Sequence, residues 1–194
     1  GIMNTWTVLL RLRSHAALLA CGLTLFTAQA QAPGDLRLAL VIGNAAYPGD
    51  AALANPVNDA KSIASTLRGL GFEVIELNDA GNMQMRAAIA KAQAQLKGQQ
   101  GIGMLYYAGH GLQLDWQNYM VPVDARLAQA SDVPERTVNV NAVLDAFKTA
   151  GNRMNIIVLD ACRDNPFGKA GVGSGKGLEQ LAAPPGTLLA YSTA

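Results

Sequence analysis

Ile102-Gly103-Met104-Leu105-Tyr106-Tyr107 runs into Ala108-Gly109-His110-Gly111, and Ile156-Ile157-Val158-Leu159 runs into Asp160-Ala161-Cys162-Arg163. Each is a short apolar stretch that ends in a reactive side chain, the pattern of a strand buried on both faces. In an open α/β sheet the carboxyl ends of parallel strands line the ligand crevice, so two such ends can bring His110 and Cys162 together. A thiol beside an imidazole is a nucleophile with its base, and that chemistry is acyl transfer.

Working outward, apolar short runs alternate with longer amphipathic ones. Arg37 to Gly43 (RLALVIG) reads as a strand, and Asn55-Pro56 opens a helix, with an N-cap and Pro at its first position, that runs to about Leu70 and ends at Gly71. Phe72 to Leu77 alternates like a strand, and Asn82 to Lys97 has the alanine-rich, 3.6-residue period of a surface helix. After the strand into His110, Leu112 to Val121 reads as a hairpin turning near Asp115 to Asn118, with Trp116, Gln117 and Asn118 at its tip. A helix over Asn141 to Ala150, the strand into Cys162 and a short strand over Thr187 to Ser192 complete the pattern. Strand and helix in this order predict an α/β fold with a mostly parallel central sheet and helices on both faces.

Residues 1–30 read as a secretory signal: Arg11 and Arg13 precede an apolar run from Ala16 to Phe26, and Ala28-Gln29-Ala30 is an A-x-A cleavage pattern. The mature chain then begins near Gln31, with 31–36 as a short linker, and is periplasmic or secreted. Leu18-Leu19-Ala20-Cys21 is a weaker alternative, a lipoprotein box that would acylate Cys21; Leu19 fits it poorly. The apolar run falls short of the roughly twenty residues that a permanent span needs. Losing the leader removes Cys21, which leaves Cys162 as a lone thiol in an oxidising compartment, where it must be buried or used. It also takes Lys+Arg from 15 to 13 against 14 Asp+Glu, close to neutral. With no basic stripe, no zinc spacing and no internal repeat, nucleic-acid and structural-metal readings have no support, and no cofactor is implied. Asp115, Asp124 and Asp132 are scattered without a calcium-loop pattern.

From about Arg37 onward, Tyr106-Tyr107-Ala108-Gly109-His110-Gly111 and Leu159-Asp160-Ala161-Cys162-Arg163-Asp164-Asn165-Pro166-Phe167 resemble the histidine and cysteine motifs of the caspase-like cysteine peptidases, in the form carried by bacterial metacaspases, or orthocaspases. The resemblance implies a caspase-like three-layer catalytic domain over 37–194: a large-subunit-like part to about 167, a glycine-rich loop over 168–177 and the start of a small-subunit-like part over 178–194. It implies Cys162 as nucleophile, His110 as base, and the backbone amides of Gly111 and Cys162 as oxyanion donors. In true caspases the position two before the cysteine carries glutamine and the pocket takes acidic residues; here it is Asp160. Asp160, with Asp59 as a second pocket acid, implies protein or peptide substrates with Arg or Lys at the cleaved position. For Asp59 the helix dipole alone is a competing explanation, since it favours a carboxylate in a first turn. Lys169 and Lys176 in the glycine-rich loop are then candidate self-cleavage points, although a plain connector reads equally well. Family members continue with a segment that completes the sheet and one pocket wall, so the resemblance implies more chain than ends at Ala194.

Three functions stay open at this level. The first is an exported cysteine endopeptidase cutting after Arg or Lys, and the second is a non-catalytic caspase-fold binding or regulatory module of the cell envelope. The third is another thiol hydrolase, which would want a Gly-x-Cys-x-Gly elbow that Asp160-Ala161-Cys162-Arg163-Asp164 does not provide.

Overall fold

Arg37–Gly43 form strand β1, buried at every position but the first. Side chains alternate along a strand, so Leu38, Leu40 and Ile42 enter one apolar core while Ala39 and Val41 enter another on the opposite face. This computed structural model describes residues 36–162, 178 and 182–192, with Cys162 described through its backbone; all belong to one unit over residues 31–194. The leader of 1–30 and the loop lysines Lys169 and Lys176 lie outside the described residues.

Pro56–Gly69 form α1, Glu73–Asn78 β2, Asn82–Leu96 α2, Ile102–Leu114 β3 and Gln117–Met120 β4. Asp132–Arg136 form a short helix α3, Val138–Asn139 β5, Val140–Ala150 α4, Met154–Cys162 β6 and Thr187–Ser192 β7. The parallel part of the sheet runs β2-β1-β3-β6-β7. α1 covers one face with Ala60, Ala64 and Leu67. α2 and α4 cover the other with Met85, Ile89, Leu96, Leu144 and Phe147, which gives the three layers expected from the sequence.

Several local expectations are corrected. β3 does not end at the glycines around His110 but continues to Leu114, because from Gly111 onward β4 pairs with it antiparallel. The hairpin turns on Asp115 and Trp116, whose φ angles of 50° and 62° form a two-residue turn. Trp116 stands exposed at its tip, whereas Asn118 is fully buried inside β4 rather than at the tip. α2 is the amphipathic surface helix expected: it buries Met85, Ala88, Ile89, Ala92 and Leu96 and exposes Met83, Arg86, Ala90 and Lys91 between them. Asn55 occupies the N-cap of α1 but makes no side-chain capping bond, so Pro56 alone marks that start. Leu36, assigned to a linker, is buried, and its carbonyl accepts a hydrogen bond from the Ile102 N–H at 2.8 Å.

α1 lies close against the end of β1 because Gly43 has no side chain. A Cβ there would stand 2.5 Å from the Pro56 carbonyl oxygen and 2.6 Å from the Ala60 Cβ. Gly43→Val is therefore expected to destabilise the fold by about 2–3 kcal/mol, read by denaturant unfolding, since backbone must shift to admit the new atoms. A variant within about 0.5 kcal/mol of wild type would contradict this packing.

Candidate active site

The register of β3 and β6 sets Ala108 opposite Asp160, Gly109 opposite Ala161 and His110 opposite Cys162. Paired residues on neighbouring strands lie roughly 5 Å apart, so both expected catalytic residues sit at the carboxyl end of the parallel region.

The His110 ring is buried, and its Nε2 lies 2.6 Å from the carbonyl oxygen of Ala51. A carbonyl only accepts, so in the neutral ring Nε2 carries the proton and Nδ1 keeps the basic lone pair. Ala51 ends a one-turn helix over Gly49–Ala51 in the connection between β1 and α1. That connection is anchored at its start. Both Ala45 and Ala46 N–H groups donate to Asp79 Oδ1 at 2.8 Å, and the buried Asn44 amide donates to the carbonyls of Ala80 and Val121. The Tyr47 ring, from the same connection, tilts against the His110 ring at 4.5 Å between centroids. Burial pushes the His110 pKa below its ordinary 6.5, against a smaller opposing pull from the Ala51 carbonyl.

Gly111 pairs with Met120, and the Val121 N–H donates to the His110 carbonyl at 3.0 Å. In an antiparallel ladder this pattern makes Gly111–Met120 a non-hydrogen-bonded pair, which turns the Gly111 N–H away from β4 and toward the side on which β6 runs. The absence of a side chain at Gly111 also makes room for its neighbours. A Cβ there would stand 2.7 Å from Leu178 Cδ2 and 3.0 Å from the Ala161 Cβ.

Asp59 and Asp160 line one cleft of about 270 Å³, together with Asn55, Pro56, Ala108 and Gly109. Asp59 is exposed and Asp160 half-buried. The Tyr106 hydroxyl donates to Asp160 Oδ2 at 3.1 Å. Its pKa is pushed well above the ordinary phenol value by burial first, then by the Asp160 carboxylate and more weakly by Asp59. Two carboxylates on the lining of one cleft, one of them held by a protonated phenol, make it an acidic cleft.

Tyr106, Tyr47 and the Ala51 carbonyl are parts of this site that the sequence did not single out. Tyr106 reads as one more apolar residue of a strand. The β1–α1 connection follows a strand's carboxyl end and could be assigned to the crevice on that ground, but nothing in its residues tells which of them reaches His110.

A family model described as the caspase domain matches residues 36–194. The chain is 34% identical over 128 residues to human mucosa-associated lymphoid tissue lymphoma translocation protein 1, across 66% of this chain and 15% of that protein. The mouse homologue matches with the same identity and coverage, so the chain spans about 15% of the length of these relatives. Among solved structures, the Drosophila initiator caspase Dronc superposes with a TM-score of 0.56 over 83% of this chain and 56% of that one, at 12% identity, a likeness of fold.

The lowered His110 pKa has a definite sign. Between that lowered value and 6.5 the unfolded chain binds a proton that the folded chain does not, so the stability contributed by the neutral His110 is fully present above 6.5 and is lost as pH falls through this window. In a Cys162→Ala variant, where no thiolate can pull on the ring, the imidazole is expected to titrate below 6.5 by NMR. A midpoint at or above 6.5 would contradict the buried setting.

Proposed function

This chain belongs to the caspase-domain family, and on that premise we propose that it is a cysteine endopeptidase of the metacaspase type that cuts after Arg or Lys. The observation that carries the reading is the β3–β6 register, which sets His110 opposite Cys162 while the Ala51 carbonyl commits Nε2 as a donor. His110 Nδ1 takes the proton of the Cys162 thiol, and the thiolate adds to the scissile carbonyl. The charge that develops on the carbonyl oxygen is met by the N–H groups of Gly111 and Cys162. The imidazolium then protonates the leaving amine, and water, activated by the same ring, hydrolyses the thioester. The direction of the Gly111 N–H supports its part in this scheme.

The cleft supports the basic preference. Asp59 reaches it from the first turn of α1, and Asp160 from β6 two residues before the nucleophile. An Arg side chain placed there gains charge-assisted hydrogen bonds, and an acidic one meets like charge. With fluorogenic peptides ending in Arg, Lys or Asp, hydrolysis of the first two but not the third is expected, falling to background in Cys162→Ala. Asp160→Asn should lower kcat/KM on the Arg peptide roughly 10- to 100-fold, the worth of one charge-assisted hydrogen bond. Hydrolysis of the Asp peptide alone would overturn the pocket reading. Equal rates in Cys162→Ala would overturn the dyad, and no hydrolysis by any form would favour the non-catalytic module.

The reading extends to processing. The leader of residues 1–30 is removed on export to the periplasm or medium, and the chain cuts itself after Lys169 or Lys176. Intact-mass measurement of the protein recovered from expressing cells should show a start near Gln31, together with loop cleavage in wild type and not in Cys162→Ala. Residues 1–30 retained on periplasmic protein, or loop cleavage in both forms, would contradict these two steps respectively.

A further inference from the structure

β3 changes partner at His110: β6 pairs with it in parallel up to that residue, and β4 takes over from Gly111 on the other side. The peptide groups at such a junction lie inside the protein and need partners; the direct Val121 N–H to His110 carbonyl bond leaves the His110 N–H and the Val121 carbonyl to find theirs elsewhere. Two tyrosine hydroxyls stand there. The His110 N–H donates to Tyr47 Oη at 3.1 Å, and Tyr47 Oη donates to the Val121 carbonyl at 2.8 Å. On the other side the Val121 N–H is shared between the His110 carbonyl at 3.0 Å and Tyr107 Oη at 3.2 Å, and Tyr107 Oη donates to the His110 carbonyl at 2.6 Å. Each phenol has one proton: Tyr47 gives its own to the Val121 carbonyl and Tyr107 to the nearer His110 carbonyl, with the Val121 carbonyl 3.2 Å away, so the two hydroxyls bracket the direct Val121–His110 bond. The two oxygens lie 3.2 Å apart across it.

We propose that Tyr47 and Tyr107 form a positioning clamp for His110, holding the peptide groups on both sides of that residue and, through the Tyr47 ring, the tilt of the imidazole toward the Ala51 carbonyl. The clamp deepens the peptidase reading and rests on it for its catalytic consequence, but its structural content is independent. Three further features fit. Tyr47 and Tyr107 are both buried, and burial pushes the Tyr47 hydroxyl up to about 12, so it stays a donor throughout the working range of an imidazole. A Cβ on Gly109 would stand 2.8 Å from Tyr47 Oη and 2.7 Å from Tyr107 Oη, so the glycine before His110 is the space in which the hydroxyls meet. Tyr47 and Ala51 belong to one short connection, so a shift of Tyr47 also moves the carbonyl that orders the ring.

The test compares Tyr47→Phe, Tyr107→Phe and Gly109→Ala with Tyr119→Phe in the full chain. Tyr119 is a buried tyrosine of the same apolar cluster as Tyr47, and its loss controls for simple destabilisation. The primary readout needs no substrate: imidazole nitrogen shifts report which ring nitrogen of His110 carries the proton. In a Cys162→Ala background, where no thiolate acts on the ring, the parent and Tyr119→Phe are expected to hold the Nε2–H tautomer above the imidazole pKa, and the three clamp variants to show a mixture. On an Arg peptide, with Cys162 in place, kcat in Tyr47→Phe and Tyr107→Phe should fall about tenfold, as expected when a reacting group is misplaced by a fraction of an ångström, with KM within about twofold; Gly109→Ala, whose residue lines the substrate cleft, is read by the tautomer alone. Gly109→Ala keeps both hydroxyls and separates them, so it distinguishes the paired hydroxyls from the hydroxyls taken singly. If the clamp variants lose stability as Tyr119→Phe does but keep the parent tautomer, the proposal is overturned. If the tautomer shifts and no form cleaves peptide, the clamp stands and the peptidase reading fails.

Discussion

A strand that changes partners midway must keep its backbone groups satisfied at the crossing, and the rest of this site depends on how β3 does so at His110. Nine residues of β3 pair in parallel with β6, from Ile102 opposite Met154 to His110 opposite Cys162. The next four pair antiparallel with β4, from Gly111 opposite Met120 to Leu114 opposite Gln117. At the crossing the parallel ladder reaches its carboxyl end, where an open α/β sheet offers its crevice. The same crossing turns the Gly111 N–H toward that crevice. One backbone constraint thus places an imidazole, an amide donor and the register of Cys162 within a single peptide repeat or two.

Alternation along the strands divides the remaining work between neighbours. Tyr106 and Ala108 face α1, where Asp59 and Asp160 share a cleft, while Tyr107 packs on the face of α2 and α4 and reaches back to the His110 carbonyl. Two adjacent tyrosines therefore serve different ends. One restrains a pocket carboxylate and the other a backbone. A fully buried tyrosine of this kind buries roughly 150–250 Å² of side chain in the core as well, so its hydroxyl is held by packing that would persist without it. This is why a conservative loss of either hydroxyl separates positioning from folding.

The order of elements was legible because the periods are strong: RLALVIG from Arg37, the alanine-rich repeat after Asn82 and the two apolar runs into His110 and Cys162. His110 and Cys162 were legible as a pair because both end apolar runs. The same clue misled at one point. The strand was expected to end at His110, yet it runs on, and the glycines on either side of His110 serve close approach: Gly109 leaves room for two hydroxyls and Gly111 for Leu178 and Ala161. α3 and β5 escaped because helices and strands of so few residues carry no period. Tyr47 and the Ala51 carbonyl escaped for a different reason. Their role exists only once the connection after β1 is folded by Asn44 and Asp79, and a main-chain oxygen leaves no mark in a sequence.

Thiol reactivity tests whether His110 serves as the base for Cys162 without any assumption about substrate. The rate of alkylation by iodoacetamide, followed at Cys162 by peptide mapping so that Cys21 is counted separately, is measured against pH in wild type and His110→Ala. With the imidazole as its partner, Cys162 should react with an inflection well below the ordinary thiol value of about 8.5, and the variant should return to about that value. The same profile in both proteins would show that the ring does not act on the thiol and would contradict the account.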